Sequence, residues 1–302
     1  MQPAPLLALT FVLQLLTAGC VSADAEESLT EPYPPGECTN CDVWNVPQAP
    51  MQLFGNTYYV GTRGLTALLI TSEEGHVLID GGIPASAPLI LENVRTLGFD
   101  VQDVELLLNS HVHFDHAGGL AALRAASGAR VAALAEAVPV LERGSSMPGD
   151  PQHGWLLDFP PVRVDEQVAD GGIVRVGPLA LTAHLTPGHA PGGTTWTWRS
   201  CEGDRCLDFV YADSHSAVSV PDFRFTDPEN TEYLERFEVG FEVLERLPCD
   251  VVIAPHPGQA SLWQRIENGP EGLIDPEGCR RYAETMRAGL EQRLSAEREG
   301  QR

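Results

Sequence analysis

The sequence predicts an α/β chain built as a four-layer αββα sandwich, with two β-sheets packed face to face and helices on the outer faces. Short apolar runs bounded by Gly-containing turns alternate with segments whose apolar residues fall at helical spacing. Strand-like and helix-like groups occur in both halves of the chain, with strands outnumbering helices early in each, which favours two packed sheets. The 302 residues are 43% hydrophobic, enough for one large core or two small ones. No short-period repeat is visible.

Residues 1–20 read as an export signal. The stretch 6–16 is apolar except for Thr10 and Gln14 and is too short to span a bilayer. It ends in Thr17-Ala18-Gly19 before Cys20. That ending resembles a bacterial lipoprotein signal, whose Cys is lipidated; cleavage after Ala23 or Ala25 is the alternative. No other segment is long enough to be transmembrane. Residues 21–50, rich in Pro, Glu and Asp, read as a tether and N-terminal arm, and residues 51–302 as the main domain.

Within that domain, 57–60, 65–70 and 76–79 read as strands and 84–97 as a helix. A largely buried strand over 104–108 stops at Asn109-Ser110. A helix over 117–126, a strand near Val131 and a helix over 135–143 follow, with Pro139 in that helix's first turn. Residues 144–161, rich in Gly and Pro with Trp155 and Phe159 embedded, form a long loop of the kind that is often functional. Strands are expected over 173–185, 194–198, 207–211 and 251–254, and helices over 229–247 and 283–298.

The formal net charge is −23, and all nineteen basic residues are Arg. Such a surface repels phosphate backbones, so the chain is expected to have no nucleic-acid partner. An anionic small substrate is not excluded, because a bound cation reverses the local field. Of the seven Cys, six remain if Cys20 leaves with the signal or takes a lipid, which suits an exported protein. Cys201 and Cys206 bracket a polar hairpin tip, and Cys249 and Cys279 are placed to staple a C-terminal helix. Cys38 and Cys41 have the spacing of a redox motif or half a zinc site. With no βαβ context and no second pair, a local disulfide is expected.

The chemistry concentrates in His111-Val112-His113-Phe114-Asp115-His116, directly after the 104–108 strand, where α/β sheets place their sites. Alternate residues His111 and His113 point the same way from an extended stretch and grip one ion. Asp115 and His116 lie where the chain turns into the next helix and face a second. Ala117-Gly118-Gly119 is small enough for the backbone to pass close beneath a metal pair. Zinc takes imidazole and carboxylate at about 2.0–2.2 Å and keeps an open position when catalytic. His189, in Thr186-Pro187-Gly188-His189, and His256, in Ala254-Pro255-His256-Pro257, both follow strands and supply further ligands. Either alone would read as a core or surface histidine, but three His and an Asp within six residues have no obvious packing role.

The run His111-x-His113-x-Asp115-His116 is similar to the signature of the metallo-β-lactamase superfamily, and Thr186-Pro-Gly-His189 and Pro255-His256 match its later ligand motifs in order and spacing. The likeness spans about 53–298. Finer features resemble the subclass B3 β-lactamases: no Cys stands near Ser214, and Tyr211-Ala-Asp-Ser214-His-Ser216 looks like the B3 segment that holds the substrate carboxylate. The Cys249/Cys279 pair and the export signal also fit.

The resemblance implies two Zn2+ per chain, the first on His111, His113 and His189, the second on Asp115, His116 and His256. It implies β-lactam hydrolysis by a hydroxide shared between them, in a monomeric, periplasmic or exported protein, lipid-anchored if Cys20 is modified. Ser214 and Ser216 would dock the substrate carboxylate. Gln152 either adds a polar contact or is solvated, and Trp155 is a substrate lid or loop packing. Asp80, before Gly81-Gly82, either resembles a superfamily carboxylate set behind the ligands or caps a turn. His215 has no familiar counterpart. A thioesterase or lactonase on the same fold is the rival reading, with Asp213 as its bridging carboxylate; otherwise Asp213 orients a ligand. A non-catalytic exported zinc-binding protein is the rival from another class.

Overall fold

The structure, a computed structural model, describes residues 28–300. The apolar run 6–16, Cys20, and the cleavage points at Ala23 and Ala25 lie outside the described residues. Seven strands form one sheet in chain order: β1 (Met51–Phe54), β2 (Thr57–Tyr59), β3 (Leu68–Ile70), β4 (His76–Ile79), β5 (Val104–Leu108), β6 (Arg130–Leu134) and β7 (Glu166–Val168). Pairing is antiparallel from β1 to β4 and parallel from β4 to β7. The second sheet holds β8 (Ile173–Val176), β9 (Leu179–Leu185), β10 (Thr194–Glu202), β11 (Arg205–Tyr211) and β12 (Val251–Ile253), in the order β12-β11-β10-β9-β8. Only β11 and β12 run parallel there.

The layers follow from the two-residue period of a strand, which sends alternate side chains to opposite faces. Leu68, Ile70, Val77, Ile79, Leu106 and Leu108 face Leu181, Ala183, Trp196, Trp198, Phe209 and Tyr211 of the second sheet in a buried inter-sheet core. The alternate residues Leu69, Leu78 and Leu107 pack instead on helices α2 (Ala87–Thr96) and α4 (Leu120–Ser127) through Ile90, Val94, Leu120 and Leu123. On the far side, Val210 and Val252 meet Phe237 and Phe241 of α6 (Thr231–Arg246) and Tyr282 and Ala283 of α8 (Gly278–Arg298). The result is the expected αββα order. Shorter helices are α1 (Cys41–Trp44), α3 (Phe114–Ala117), α5 (Val138–Arg143) and α7 (Leu262–Glu267).

Some expectations need correction. The strand read over 173–185 is a hairpin, turned at Gly177 (φ +51°) and Pro178, a Gly-Pro turn signal that sequence reasoning passed over. The helix read over 117–126 is two helices, α3 and α4, parted at Gly118-Gly119. Those glycines have a steric reason that the sequence did not show. A Cβ on Gly119 would lie 2.2 Å from the Gly81 carbonyl oxygen, and one on Gly118 2.6 Å from Pro84 Cδ. They let α3 and α4 close on the turn after β4. The strand read from Leu65 begins at Leu68, because Leu65 closes a turn back to Thr62. The terminal helix begins at Gly278 rather than at 283, and β1, β7 and α7 were not anticipated. Pro139 does fall in the first turn of its helix.

Three disulfides are present. Cys201–Cys206 closes the β10–β11 hairpin tip, Cys249–Cys279 ties α8 to the segment leading into β12, and Cys38–Cys41 opens α1. Among the described residues no helix is long and apolar enough to cross a membrane.

Candidate metal centre

Strands β4, β5, β9, β11 and β12 all deliver a loop to one edge of the sandwich, the last three running in the same direction through the pairings of the second sheet. The two sheets are joined there: Thr194 N–H donates to the Ser110 carbonyl (2.7 Å), Trp196 Nε1–H to the Asn109 carbonyl (2.9 Å), and Thr66 N–H to the Pro255 carbonyl (2.8 Å). Trp196 is fully buried. Its truncation to Ala would cost about 3–5 kcal/mol and unseat the start of the His111–His116 segment.

His111, His113 and His189 each present a donor atom, all within 4.8 Å of one another, and so do His111, Asp115 and His116. His256 completes the second cluster, its Nε2 3.3 Å from Asp115 Oδ2, with the His116 Nε2 3.2 Å from the same oxygen. The rings of His116 and His256 lie 4.9 Å apart, and those of His111 and His116 4.3 Å. Three strand-end loops, far apart in sequence, therefore converge.

The far nitrogens of His111, His113 and His189 are tied down. His111 Nδ1 lies 2.8 Å from Asp213 Oδ1, and His113 Nε2 2.9 Å from Asp150 Oδ2. His189 Nδ1 donates to the Ser216 carbonyl at 2.8 Å, and His116 Nδ1 lies 3.6 Å from Asp80 Oδ2. Asp80 holds a left-handed backbone (φ +65°), unusual for a residue with a side chain. Its carboxylate accepts from Ser110 N–H, Ser110 Oγ and Tyr211 OH, which fixes it there.

Burial, then the neighbouring His116, His113 and His189, hold His111 well below the usual imidazole range. Burial and His113 push His189 down to about 3, against the opposing Ser216 carbonyl. Both are thus neutral, as ligation requires. Burial disfavours charge on His116 and Asp115 too, but their mutual attraction outweighs it: the imidazole rises to about 10 and the carboxyl falls well below its ordinary value. A divalent cation would take the place of that proton.

His111 Nε2 and His116 Nε2 are buried and make no well-formed hydrogen bond. Bringing such groups together in a dry pocket is costly unless something charged joins them. Imidazole nitrogens and one carboxylate are a donor set that suits zinc, so the residues fit the metal.

The cluster floors a cleft of about 610 Å³. One wall is the loop before β7, with Gln152, Trp155, Leu156 and Leu157, and another is the strand-end segment with Ser214 and Ser216. A third wall comes from the arm through Glu37, Asn40 and Trp44, and Gln259 also lines the cleft. Gln152 is buried and its Nε2 has no protein partner, so it is not the solvated glutamine allowed for. Trp155 is 61% exposed at the rim. Ser214 Oγ donates to Gln259 Oε1 at 3.3 Å. His215 faces away from the cleft, fully buried against Phe237 and Phe241, where a Cβ on Gly240 would stand 1.8 Å from its Nε2. Asp213 belongs to neither donor group; it sits behind His111.

Sequence reasoning missed Asp150, Gln259, Trp44 and Tyr33. Trp44 packs on His256 with ring centroids 5.2 Å apart, and Tyr33 OH donates to the Asp158 carbonyl. Gln259 had a signal, standing three residues after His256; the arm residues had none beyond being aromatic.

A two-sheet sandwich that gathers buried imidazoles and a carboxylate at one edge, beneath an open cleft, defines a metal-dependent hydrolase. The sequence matches the metallo-β-lactamase superfamily over residues 60–261, and the chain belongs to that superfamily. Among solved structures it is similar to Rm3 metallo-β-lactamase, at 52% identity and a TM-score of 0.85, over 87% of this chain and 100% of that one. It is also similar to MEM-A1, a subclass B3 metallo-β-lactamase from a soil metagenome library, at 45% identity and a TM-score of 0.82, over 85% and 100%. A curated relative, the hydroxyacylglutathione hydrolase of Methylobacterium nodulans, is 32% identical over 110 residues, 36% of this chain. The chain spans 34% of that relative's length.

Proposed function

We propose that this protein opens the β-lactam ring by hydrolysing its amide bond, as a subclass B3 enzyme carrying two zinc ions. His111, His113 and His189 would hold the first, and Asp115, His116 and His256 the second. The observation that carries this reading is the convergence of all six side chains, with the buried His111 Nε2 and His116 Nε2 making no well-formed hydrogen bond. Zinc, when bound, lowers the pKa of coordinated water to about 7 and polarises a carbonyl oxygen.

The chain's own residues orient the substrate. Ser214 and Ser216 stand on the cleft wall, and the Ser214 hydroxyl would exchange its long bond to Gln259 for one to the carboxylate of a β-lactam. Gln152 also lines the cleft, and its shielded, unpartnered Nε2 would have to turn outward to add a further donor. Trp155, Leu156 and Leu157 offer an apolar wall that keeps water from the remainder of the ligand. Asp213, lying behind His111, orients that ring; a bridging carboxylate, as the thioesterase or lactonase reading needs, would stand among the donors.

The three disulfides suit an oxidising compartment, so we infer a periplasmic or exported protein acting as a monomer, with Cys20 lipidated or removed. The test offers metal-loaded protein a chromogenic cephalosporin, a thioester and a homoserine lactone, each with and without chelator. Chelator-sensitive ring opening of the cephalosporin is expected, and faster turnover of either ester would overturn the assignment. Ser214→Ala should raise KM about tenfold by removing one hydrogen bond to a charged group, with kcat little changed; a fall in kcat alone would contradict the docking role.

A further inference from the structure

The loop over 144–161 carries Gln152, Trp155, Leu156 and Leu157 into the cleft, yet it contributes none of the six metal-facing side chains. It touches the cluster through Asp150. That carboxylate is buried, with its side chain 2% exposed, and it is used twice: Oδ2 lies 2.9 Å from His113 Nε2, and Oδ1 accepts the Gln152 N–H at 2.8 Å. The segment is pinned on either side by backbone contacts, Tyr233 OH to the Gly149 carbonyl (3.0 Å) and Val220 N–H to the Pro151 carbonyl (2.9 Å). The Asp150 side chain is therefore held in place from outside the cluster.

His113 differs from its partners in the first donor group. His111 and His189 have Nδ1 engaged by Asp213 and by the Ser216 carbonyl, leaving Nε2 toward the cluster. His113 has Nε2 engaged by Asp150, leaving Nδ1. A ring that flips presents the wrong nitrogen, and a histidine's ligating atom is set by the hydrogen bond its other nitrogen makes.

We propose that Asp150 is a positioning residue that links metal occupancy to the cleft wall: it locks His113 with Nδ1 inward, and the same carboxylate fixes Gln152 and the loop behind it. This rests on the reading of His113 as a metal ligand. Because binding free energies are reciprocal, a metal that steadies His113 steadies the loop, and a steadied loop tightens the metal.

The experiment measures zinc affinity by chelator competition and cleavage within 144–161 by limited proteolysis, on wild type, Asp150→Ala and Asp150→Asn. In wild type, chelation should raise cleavage in the loop. Asp150→Ala should bind zinc about 10–100-fold more weakly, and its loop should be cut readily whether or not metal is present. Asp150→Asn keeps an acceptor oxygen for only one of the two N–H donors, so it should fall between wild type and Asp150→Ala in both readouts; an Asp150→Asn protein that matches wild type in both would overturn the double engagement. If Asp150→Ala binds zinc as wild type does, or if chelation alters its cleavage equally, the proposal is overturned while the hydrolase reading stands. A wild-type protein that binds no zinc overturns both. Should Asp150→Ala not fold, ring-nitrogen NMR of the zinc-loaded wild type decides: His113 is expected to carry a slowly exchanging proton on Nε2, and a proton on Nδ1 instead sinks the idea.

Discussion

The two donor groups are built differently, although they stand side by side. Each imidazole of the His111, His113 and His189 group has its far nitrogen within 2.9 Å of an acceptor on another chain segment, namely Asp213, Asp150 and the Ser216 carbonyl. The Asp115, His116 and His256 group leans on itself. Its nearest polar contacts are within the group, at 3.2 and 3.3 Å, and His116 lies 3.6 Å from Asp80. The His256 side chain is 25% exposed and has an aromatic ring beside it, that of Trp44. Outer contacts that orient ligands raise affinity, so the first group should hold its ion more tightly and the second should exchange first.

That difference can be broken experimentally. The largest effect is expected from Asp115→Asn, which removes the one carboxylate of the self-supporting group. Loss of an outer partner costs about 10–100-fold, so loss of this direct donor should lower turnover by more than about 100-fold while circular dichroism shows an unchanged fold; full activity would contradict the assignment. Asp213→Ala takes the acceptor from His111 and should weaken the tighter ion by about 10–100-fold; an unchanged stepwise chelator titration would erase the contrast between the groups. Trp44→Ala removes ring packing worth about 0.5–1.5 kcal/mol and should loosen only the more weakly held ion, roughly two- to tenfold in the same titration. Cys201→Ser serves as the distant control. It opens a short loop worth about 2 kcal/mol of unfolded-chain entropy, so thermal melting should shift while zinc content does not.

Much of this architecture was legible because it depends on local period and on strand ends. Val77–Ile79 and Leu106–Leu108 are apolar at every position, as strands covered on both faces must be, and the six donors were readable because each follows a strand. The missed parts lack such regularity. β7 is a three-residue edge strand, Glu166–Val168, with two exposed polar side chains, so neither alternation nor apolarity marks it. Asp150 stands 37 residues from His113 in a Gly/Pro-rich loop, and nothing local distinguishes it from a solvated carboxylate. The close approach of Gly118 and Gly119 to the turn after β4 was not readable, because sequence shows that room is needed but not which backbone needs it.

The third wall of the cleft has a consequence for inhibitor design. Glu37, Asn40 and Trp44 precede residue 60, where the match to the superfamily begins. A compound that grips only the donor cluster engages the segment that matches the wider superfamily. One that extends past His256 to the indole of Trp44 and the carboxylate of Glu37 engages a surface supplied from outside that shared segment, and selectivity can be sought there.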